Sequence, residues 1–172
     1  MKIGIISDTH SSFKNTRKAV EILNNHNLRE VFHCGDWDSP QALDAFDGLN
    51  FPVQGVLGNC DSYLENYKEK LILSGKIYIQ EGPLVLDLKG KQIAIAHGDN
   101  EFVLQELIES QKFDLVLTGH THEARIDKRG KTRIVNPGPV LGYGGGPFRK
   151  KSIPTLAIYD FNKDKTKVVE IK

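Results

Sequence analysis

The chain has 172 residues, with 23 lysine and arginine side chains against 22 aspartate and glutamate side chains, so its formal net charge is only +1. This balance argues against a dedicated nucleic-acid partner, and the length fits one domain with its own core, which we expect to span residues 1–172. Two cysteines are too few for a disulfide framework, and no apolar run reaches the roughly 18 residues that a membrane helix needs. We therefore expect a soluble cytoplasmic protein without a membrane partner.

The first apolar run, Lys2 to Ile6, has the composition of a buried strand and is followed directly by Ser7-Asp8-Thr9-His10. Side chains two positions apart on an extended backbone point the same way. Asp8 and His10 are therefore expected to reach one metal ion from one side if the backbone stays extended.

Two helices are predicted in the first third of the chain. Apolar positions from Phe13 to Leu23 recur three and four apart, which indicates an amphipathic helix with Ser11 or Ser12 as its cap. Further on, Ser39-Pro40 has the pattern of an N-cap and a first-turn proline, which predicts a short helix closed by Gly48.

Four further predicted strands also end in polar side chains. The strands are Glu30 to Cys34, Pro52 to Leu57, Gln92 to Ala96 and Asp114 to Thr118, and the polar residues that follow them are Asp36, Asn59, His97, His120 and His122. In proteins built from α/β layers, the binding site lies beyond the carboxyl ends of the strands. These polar side chains should therefore converge on one crevice. Together with Asp8 and His10 they make seven candidate metal ligands, which is more than one ion can bind while leaving room for substrate. The number favours two ions that share a carboxylate.

Oxygen and imidazole ligands without thiolates suit Mn, Fe, Zn, Ni or Co. Two such ions side by side polarise a phosphoryl group, activate a water and stabilise the charge of the attacking and leaving oxygens. Phosphoester hydrolysis is therefore the expected reaction.

The remaining predicted elements are hairpins, one helix and one loop. They are a hairpin over 84–96, a helical face from Val103 to Ile108, a hairpin over 125–136 and a last hairpin over 152–171. The segment Ser62 to Glu81 suggests a helical turn around Tyr67 before a strand from Ile77 to Ile79. A glycine-rich loop, Gly142 to Pro147, lacks the Gly-Lys-Ser/Thr ending of a phosphate-binding loop, and the basic run that begins at Arg149 follows it.

Five motifs in a fixed order resemble the calcineurin-like metallophosphoesterases, in particular their small single-domain bacterial and archaeal phosphodiesterase branch. The motifs are D-x-H at Asp8 and His10, Gly35-Asp36, G-N-x-D from Gly58 to Asp61, His97, and G-H-x-H from Gly119 to His122. Each motif is unspecific alone, whereas the ordered set covers the chain from Lys2 to about Gly138.

The resemblance implies a four-layer α/β/β/α sandwich, in which two mixed β-sheets are flanked by helices, and a dinuclear metal centre that holds Mn above all. It implies a metallophosphodiesterase, a hydrolase in which a metal-bridging hydroxide attacks a small phosphodiester or nucleotide-like substrate. One ion would be held by Asp8, His10, Asp36 and His122, and the other by Asp36, Asn59, His97 and His120. The predicted catalytic residues are Asp36, Asn59, Cys60, Asp61 and His97.

Two positions depart from the larger family. Cys60 stands where that family usually has a histidine that protonates the leaving group, although the small branch also has cysteine there. The thiol is a proton donor, a redox-sensitive group or a space filler, and a preference for good leaving groups is expected. Pro139 stands where a serine is usual.

Other functions on the same fold remain open at this stage. One is a non-catalytic interaction scaffold like a retromer subunit, although no predicted ligand is missing here. Another is a phosphomonoesterase or nuclease that uses the same site. The physiological substrate, the native metal and the oligomeric state, including a homo-oligomer, are not fixed by the sequence.

Overall fold

The computed structural model of the chain describes residues 1–62, 76–142 and 152–172. In these ranges one sheet contains β1 (Lys2–Ile6), β2 (Val31–His33), β3 (Val53–Val56), β4 (Ile77–Gln80), β10 (Thr155–Asp160) and β11 (Lys165–Glu170). The second sheet contains β5 (Leu84–Leu88), β6 (Lys91–Ile95), β7 (Leu115–Leu117), β8 (Arg125–Arg129) and β9 (Thr132–Asn136). The helices are α1 (Phe13–Asn24), a 3-10 helix (Pro40–Phe46) and α2 (Glu101–Glu109).

Both sheets are mixed, as predicted. In the first sheet the strand order is β11-β10-β1-β2-β3-β4, with β1 to β4 parallel and β10 antiparallel to β1. In the second sheet the order is β5-β6-β7-β9-β8, with β6, β7 and β9 parallel. The parallel strands of each sheet therefore bring their carboxyl ends to one edge.

Three apolar clusters separate four layers. One packs α1 and the 3-10 helix on the first sheet through residues such as Leu23 and Phe46. The second fills the space between the sheets with residues such as Phe32 and Ile95. The third packs α2 on the second sheet through Ile108. This arrangement is the predicted sandwich of two mixed sheets flanked by helices.

The start of α1 differs from its prediction. Ser12 occupies the N-cap position, but its side chain accepts no capping hydrogen bond. Phe13 is 49% exposed, because the buried face of the helix begins only at Thr16, and the guanidinium of Arg17 lies 5.1 Å from the centroid of the Phe13 ring. The helix and the N-cap position of Ser12 are therefore confirmed, but the cap lacks a side-chain hydrogen bond and Phe13 lies at the exposed end of the apolar stripe.

Two predictions lie outside the described residues, namely the helical turn around Tyr67 and most of the glycine-rich loop with Arg149. The strand that begins at Ile77 and the hairpins over 84–96, 125–136 and 155–170 are confirmed. No helix within the described ranges has both the length and the apolar character needed to cross a membrane.

Candidate metal centre

Four predicted ligands form one cluster at the edge where the parallel strands end. Ligand atoms of Asp8, His10, Asp36 and His122 all lie within 4.8 Å of one another. Nε2 of His122 is 3.2 Å from Oδ1 of Asp8, and Nε2 of His10 is 3.4 Å from Oδ2 of Asp36. Both carboxylates are buried. Two carboxylate oxygens and two imidazole nitrogens at these separations offer a pocket of the size and chemistry that a divalent transition-metal ion takes.

A second cluster adjoins the first through Asp36. Oδ1 of Asn59 lies 3.1 Å from Nε2 of His97 and 3.1 Å from Nδ1 of His120. Nε2 of His97 is in turn 3.3 Å from Oδ2 of Asp36, the same oxygen that faces His10. One carboxylate oxygen therefore stands between the two groups of imidazoles.

The ligand positions have an unusual backbone conformation. Five of them have positive φ angles: 53° at Asp8, 40° at His10, 60° at Asp36, 65° at His120 and 56° at His122. Residues other than glycine rarely adopt this left-handed conformation, and it persists at functional sites where the surrounding structure enforces it. The predicted extended backbone at Asp8 and His10 was therefore wrong, because tight left-handed turns aim these side chains.

Neighbouring groups fix the orientation of His97. Its Nδ1 lies 2.8 Å from the carbonyl oxygen of Cys34, which can only accept, so Nδ1 donates and Nε2 is the ring nitrogen that faces the cluster. Burial opposes a charged imidazole, yet the adjacent Asp36 carboxylate raises the pKa of His97 to about 9. Proton and metal therefore compete for Nε2 of His97, as is usual at histidine ligands.

The Asp36 side chain is held in place by a backbone amide as well as by imidazoles. Burial opposes its charge, but the hydrogen bond and the charge of His97 lower the pKa of Asp36 to about 2. Its Oδ1 accepts a hydrogen bond of 2.9 Å from the backbone N–H of Cys60, which leaves Oδ2 for the ligand clusters. A carboxylate with one oxygen occupied and the other facing two sites is suited to bridge two cations.

The two other predicted catalytic residues differ in their surroundings. The Cys60 thiol is half-buried and lies 3.4 Å from Nδ2 of Asn59, and burial together with the nearby Asp36 carboxylate raises its pKa to about 11. The thiol is therefore protonated at neutral pH. Asp61 is 1% exposed, and both of its oxygens accept from backbone amides rather than facing the clusters.

Two supporting residues lie behind the ligands. His33 is buried, its Nδ1 accepts from the N–H of Gly35 and its Nε2 lies 3.2 Å from Oγ1 of Thr9. Asn136 is a residue that the sequence did not assign to the site. Its amide donates to the carbonyl oxygen of Gly119 at 2.7 Å and to Oγ1 of Thr121 at 3.0 Å, and so supports the turn between His120 and His122. The only feature of the sequence that could have indicated this role is the position of Asn136 at the end of β9.

The residues present fit a pair of divalent transition-metal ions. Every one of the seven predicted ligands contributes a carboxylate, amide or imidazole group, and none is a thiolate. Each group of four takes residues from both sheets, and one imidazole of each group, that of His10 or of His97, lies against Oδ2 of Asp36. Buried carboxylates this close together are stabilised by cations.

Comparisons with known proteins agree with this geometry. Residues 1–164 match the model of the calcineurin-like phosphoesterase superfamily domain. The phosphodiesterase MJ0936 of Methanocaldococcus jannaschii is 36% identical over 163 residues, which cover 95% of each chain. A solved archaeal phosphodiesterase superposes with a TM-score of 0.87 at 34% identity and covers 99% of each chain.

A zinc complex of Vps29 from Entamoeba histolytica has a TM-score of 0.68 over 100% of each chain, and at 18% identity this likeness shows the fold alone. The family model and the archaeal relative, in contrast, match almost the whole chain, and they support an enzyme that hydrolyses phosphoric esters. The chain therefore belongs to the calcineurin-like phosphoesterase superfamily.

Proposed function

We propose that the protein is a metal-dependent phosphodiesterase with a dinuclear centre in a single domain of residues 1–172. One ion is assigned to Asp8, His10, Asp36 and His122, and the second to Asp36, Asn59, His97 and His120. The observation that carries the proposal is the position of Asp36 Oδ2, which lies 3.4 Å from Nε2 of His10 and 3.3 Å from Nε2 of His97. Mn is the proposed metal, with Fe, Zn, Ni or Co as alternatives.

The proposed ligands differ in their exposure, which indicates the side from which substrate enters. When bound, two ions would supply an activated water and positive charge for the phosphoryl oxygens. Asp8 and His97 are buried and anchor the inner side, whereas Asn59 and His120 are exposed. Substrate therefore approaches from the side of Asn59 and His120.

The near-neutral charge of the chain and its archaeal relative favour a small phosphodiester as the substrate. A net charge of +1 offers little attraction to a long polyanion, so a small phosphodiester or nucleotide-like molecule is the proposed substrate. The archaeal relative is named a phosphodiesterase, which supports a diester over a monoester. The protonated Cys60 thiol is a weak hydrogen-bond donor, so diesters with good leaving groups should react fastest.

The proposal is tested by removing and restoring metal. The protein is stripped with a chelator and refilled with manganese, and hydrolysis of bis(p-nitrophenyl) phosphate should return, while p-nitrophenyl phosphate should react more slowly. The Asp36→Asn variant should stay inactive after refilling. The Asp44→Asn variant, changed at an exposed carboxylate on the 3-10 helix, should behave like the wild type.

Two results would contradict the proposal. Absence of recovery with every divalent transition metal would refute metal-dependent hydrolysis and favour a non-catalytic scaffold. A monoester rate well above the diester rate would refute the preference for diesters. Sedimentation of the same preparation measures whether the active form is a homo-oligomer.

A further inference from the structure

Three backbone amides from two loops converge on the carboxylate of Asp61. Its Oδ2 accepts from the N–H of Gly58 at 2.7 Å and from the N–H of Asp36 at 2.9 Å, and its Oδ1 accepts from the N–H of Asp38 at 2.7 Å. The side chain is 1% exposed. A buried carboxylate that accepts several amide protons makes strong, charge-assisted hydrogen bonds, so this is a rigid connection between the loops after β2 and β3.

Two of these amides belong to residues with a left-handed backbone. The φ angle is 60° at Asp36 and 82° at Asp38, a conformation that is unfavourable for a residue other than glycine. Asp61 captures the N–H of both residues, on either side of the buried Trp37. Its hydrogen bonds therefore stabilise the turn that presents the Asp36 side chain.

The loop that carries Asp61 also fixes the rotation of the Asp36 carboxylate. The N–H of Cys60 donates to Oδ1 of Asp36 at 2.9 Å. Gly58 packs so closely that a Cβ atom there would clash with Oδ1 of Asp36. Asp61 sets the Asp36 backbone while Cys60 and Gly58 set its side chain, so Oδ2 is left to face both imidazole groups.

We propose that Asp61 is a positioning residue for the bridging carboxylate of Asp36 rather than a catalytic residue. Both of its oxygens are engaged by amides and it has almost no exposed surface, so it cannot contact substrate or a metal ion. It acts on both ions at once because it acts through the one residue that they share. This inference rests on the dinuclear centre of the proposed function.

The test is the Asp61→Asn variant, which keeps the shape of the side chain but turns one acceptor oxygen into an NH2 group that faces an amide donor. We expect manganese affinity to fall by at least about tenfold at both sites together, the scale found when a residue behind a metal ligand is changed. The electron paramagnetic resonance signal of a spin-coupled manganese pair should be lost in parallel in the folded variant, because the displaced Asp36 carboxylate no longer joins the two ions. The Asp44→Asn variant should keep both the affinity and the coupled signal.

A variant that binds two manganese ions with wild-type affinity and shows the coupled signal would overturn the proposal. If Asp61→Asn does not fold, hydrogen exchange of the metal-free wild-type protein decides. The amides of Asp36, Asp38 and Gly58 should be protected, and exchange at the rate of free loop amides would overturn the role of Asp61. A wild-type protein that binds no metal would contradict the proposed function instead, so the two failures are distinguishable.

Discussion

The Nε2 nitrogens of His10 and His122 face each other at 3.2 Å, although 112 positions separate the two residues in the chain. Each nitrogen presents either a lone pair or a proton, so a single proton can join them, and a cation can accept both lone pairs. His10 follows a strand of the first sheet and His122 follows a strand of the second. The site is thus assembled from both halves of the chain.

The ligand assignment predicts unequal effects of two substitutions. His10→Ala removes a ligand of one ion only and should lower the manganese content by about one ion per chain. Asp36→Asn removes the shared ligand and should lower it by about two, because the bridge contributes to both sites. Elemental analysis after dialysis against limiting manganese measures this difference, and equal loss from the two variants would count against the assignment.

Metal should also stabilise the fold. A ligand that binds only the folded protein adds about 2.7 kcal/mol when its free concentration is 100 times its Kd, which corresponds to a rise in Tm of roughly 5 to 11 °C for a chain of this size. Thermal unfolding of the chelator-treated protein with and without manganese measures the shift. The Asp36→Asn variant is the control, and a shift of wild-type size in that variant would place the stabilising ion elsewhere.

Trp37, next to the bridging aspartate, is predicted to be a main source of stability. Its ring is fully buried and stacks on His33 at a centroid distance of 3.6 Å, and its Nε1 donates to the carbonyl oxygen of Val56 at 2.9 Å. Trp37→Phe should lower the free energy of unfolding by about 2 kcal/mol or more, because it leaves a cavity and removes the hydrogen bond to the carbonyl oxygen of Val56.

Urea unfolding followed by circular dichroism measures this loss. Phe102 offers the matched control, since its ring is 73% exposed, and Phe102→Ala should change the free energy of unfolding by no more than about 0.5 kcal/mol. Similar losses in both variants would show that the Trp37 contacts contribute little.

Asp164 should make stability depend on pH under acidic conditions. The hydroxyl of Tyr159 donates to Asp164, and together with Lys91 it lowers the pKa of this carboxyl to about 2. Because the folded pKa lies below the unfolded value of about 3.9, the contribution of Asp164 is complete above pH 4 and is lost as the pH falls to about 2.

The advantage of the wild type over Asp164→Asn in free energy of unfolding should therefore shrink between about pH 4 and pH 2. The side chain of Asp164 is 58% exposed, so screening by solvent limits the effect to less than about 1 kcal/mol. Acid unfolding of the wild type and of Asp164→Asn measures it, with Asp44→Asn as a control. A difference that stays constant with pH would refute the prediction.

The meeting of the polar side chains at the strand ends was predictable from the sequence, because parallel strands place their carboxyl ends at one edge of a sheet. The sequence alone indicated that Asp8, Asp36 and His97 would meet, and the structure brings ligand atoms of Asp36 and His97 within 3.3 Å. What aims these side chains was not predictable. Left-handed turns occur at Asp8 and His10, and although aspartate and histidine adopt this conformation more often than most residues, they do so too rarely for the sequence to predict it.

The hydrogen-bond partners of Asp61 could not be predicted from the sequence for another reason. Its motif suggested a residue that takes part in the reaction, yet two of its three donors lie 25 and 23 positions earlier in the chain. A short motif specifies which side chain is present but not which backbone amides it meets after folding. The same holds for Asn136, whose partners belong to a different strand end.

The origin of the ligands has a kinetic consequence. Each proposed ion takes ligands from the first sheet and from the second, so neither sheet can separate from the other while metal is bound. These contacts join distant parts of the chain and should form late, after the rate-limiting step of folding. Bound metal should therefore slow unfolding far more than it speeds folding, which would protect the chain from proteases that attack the separated sheets.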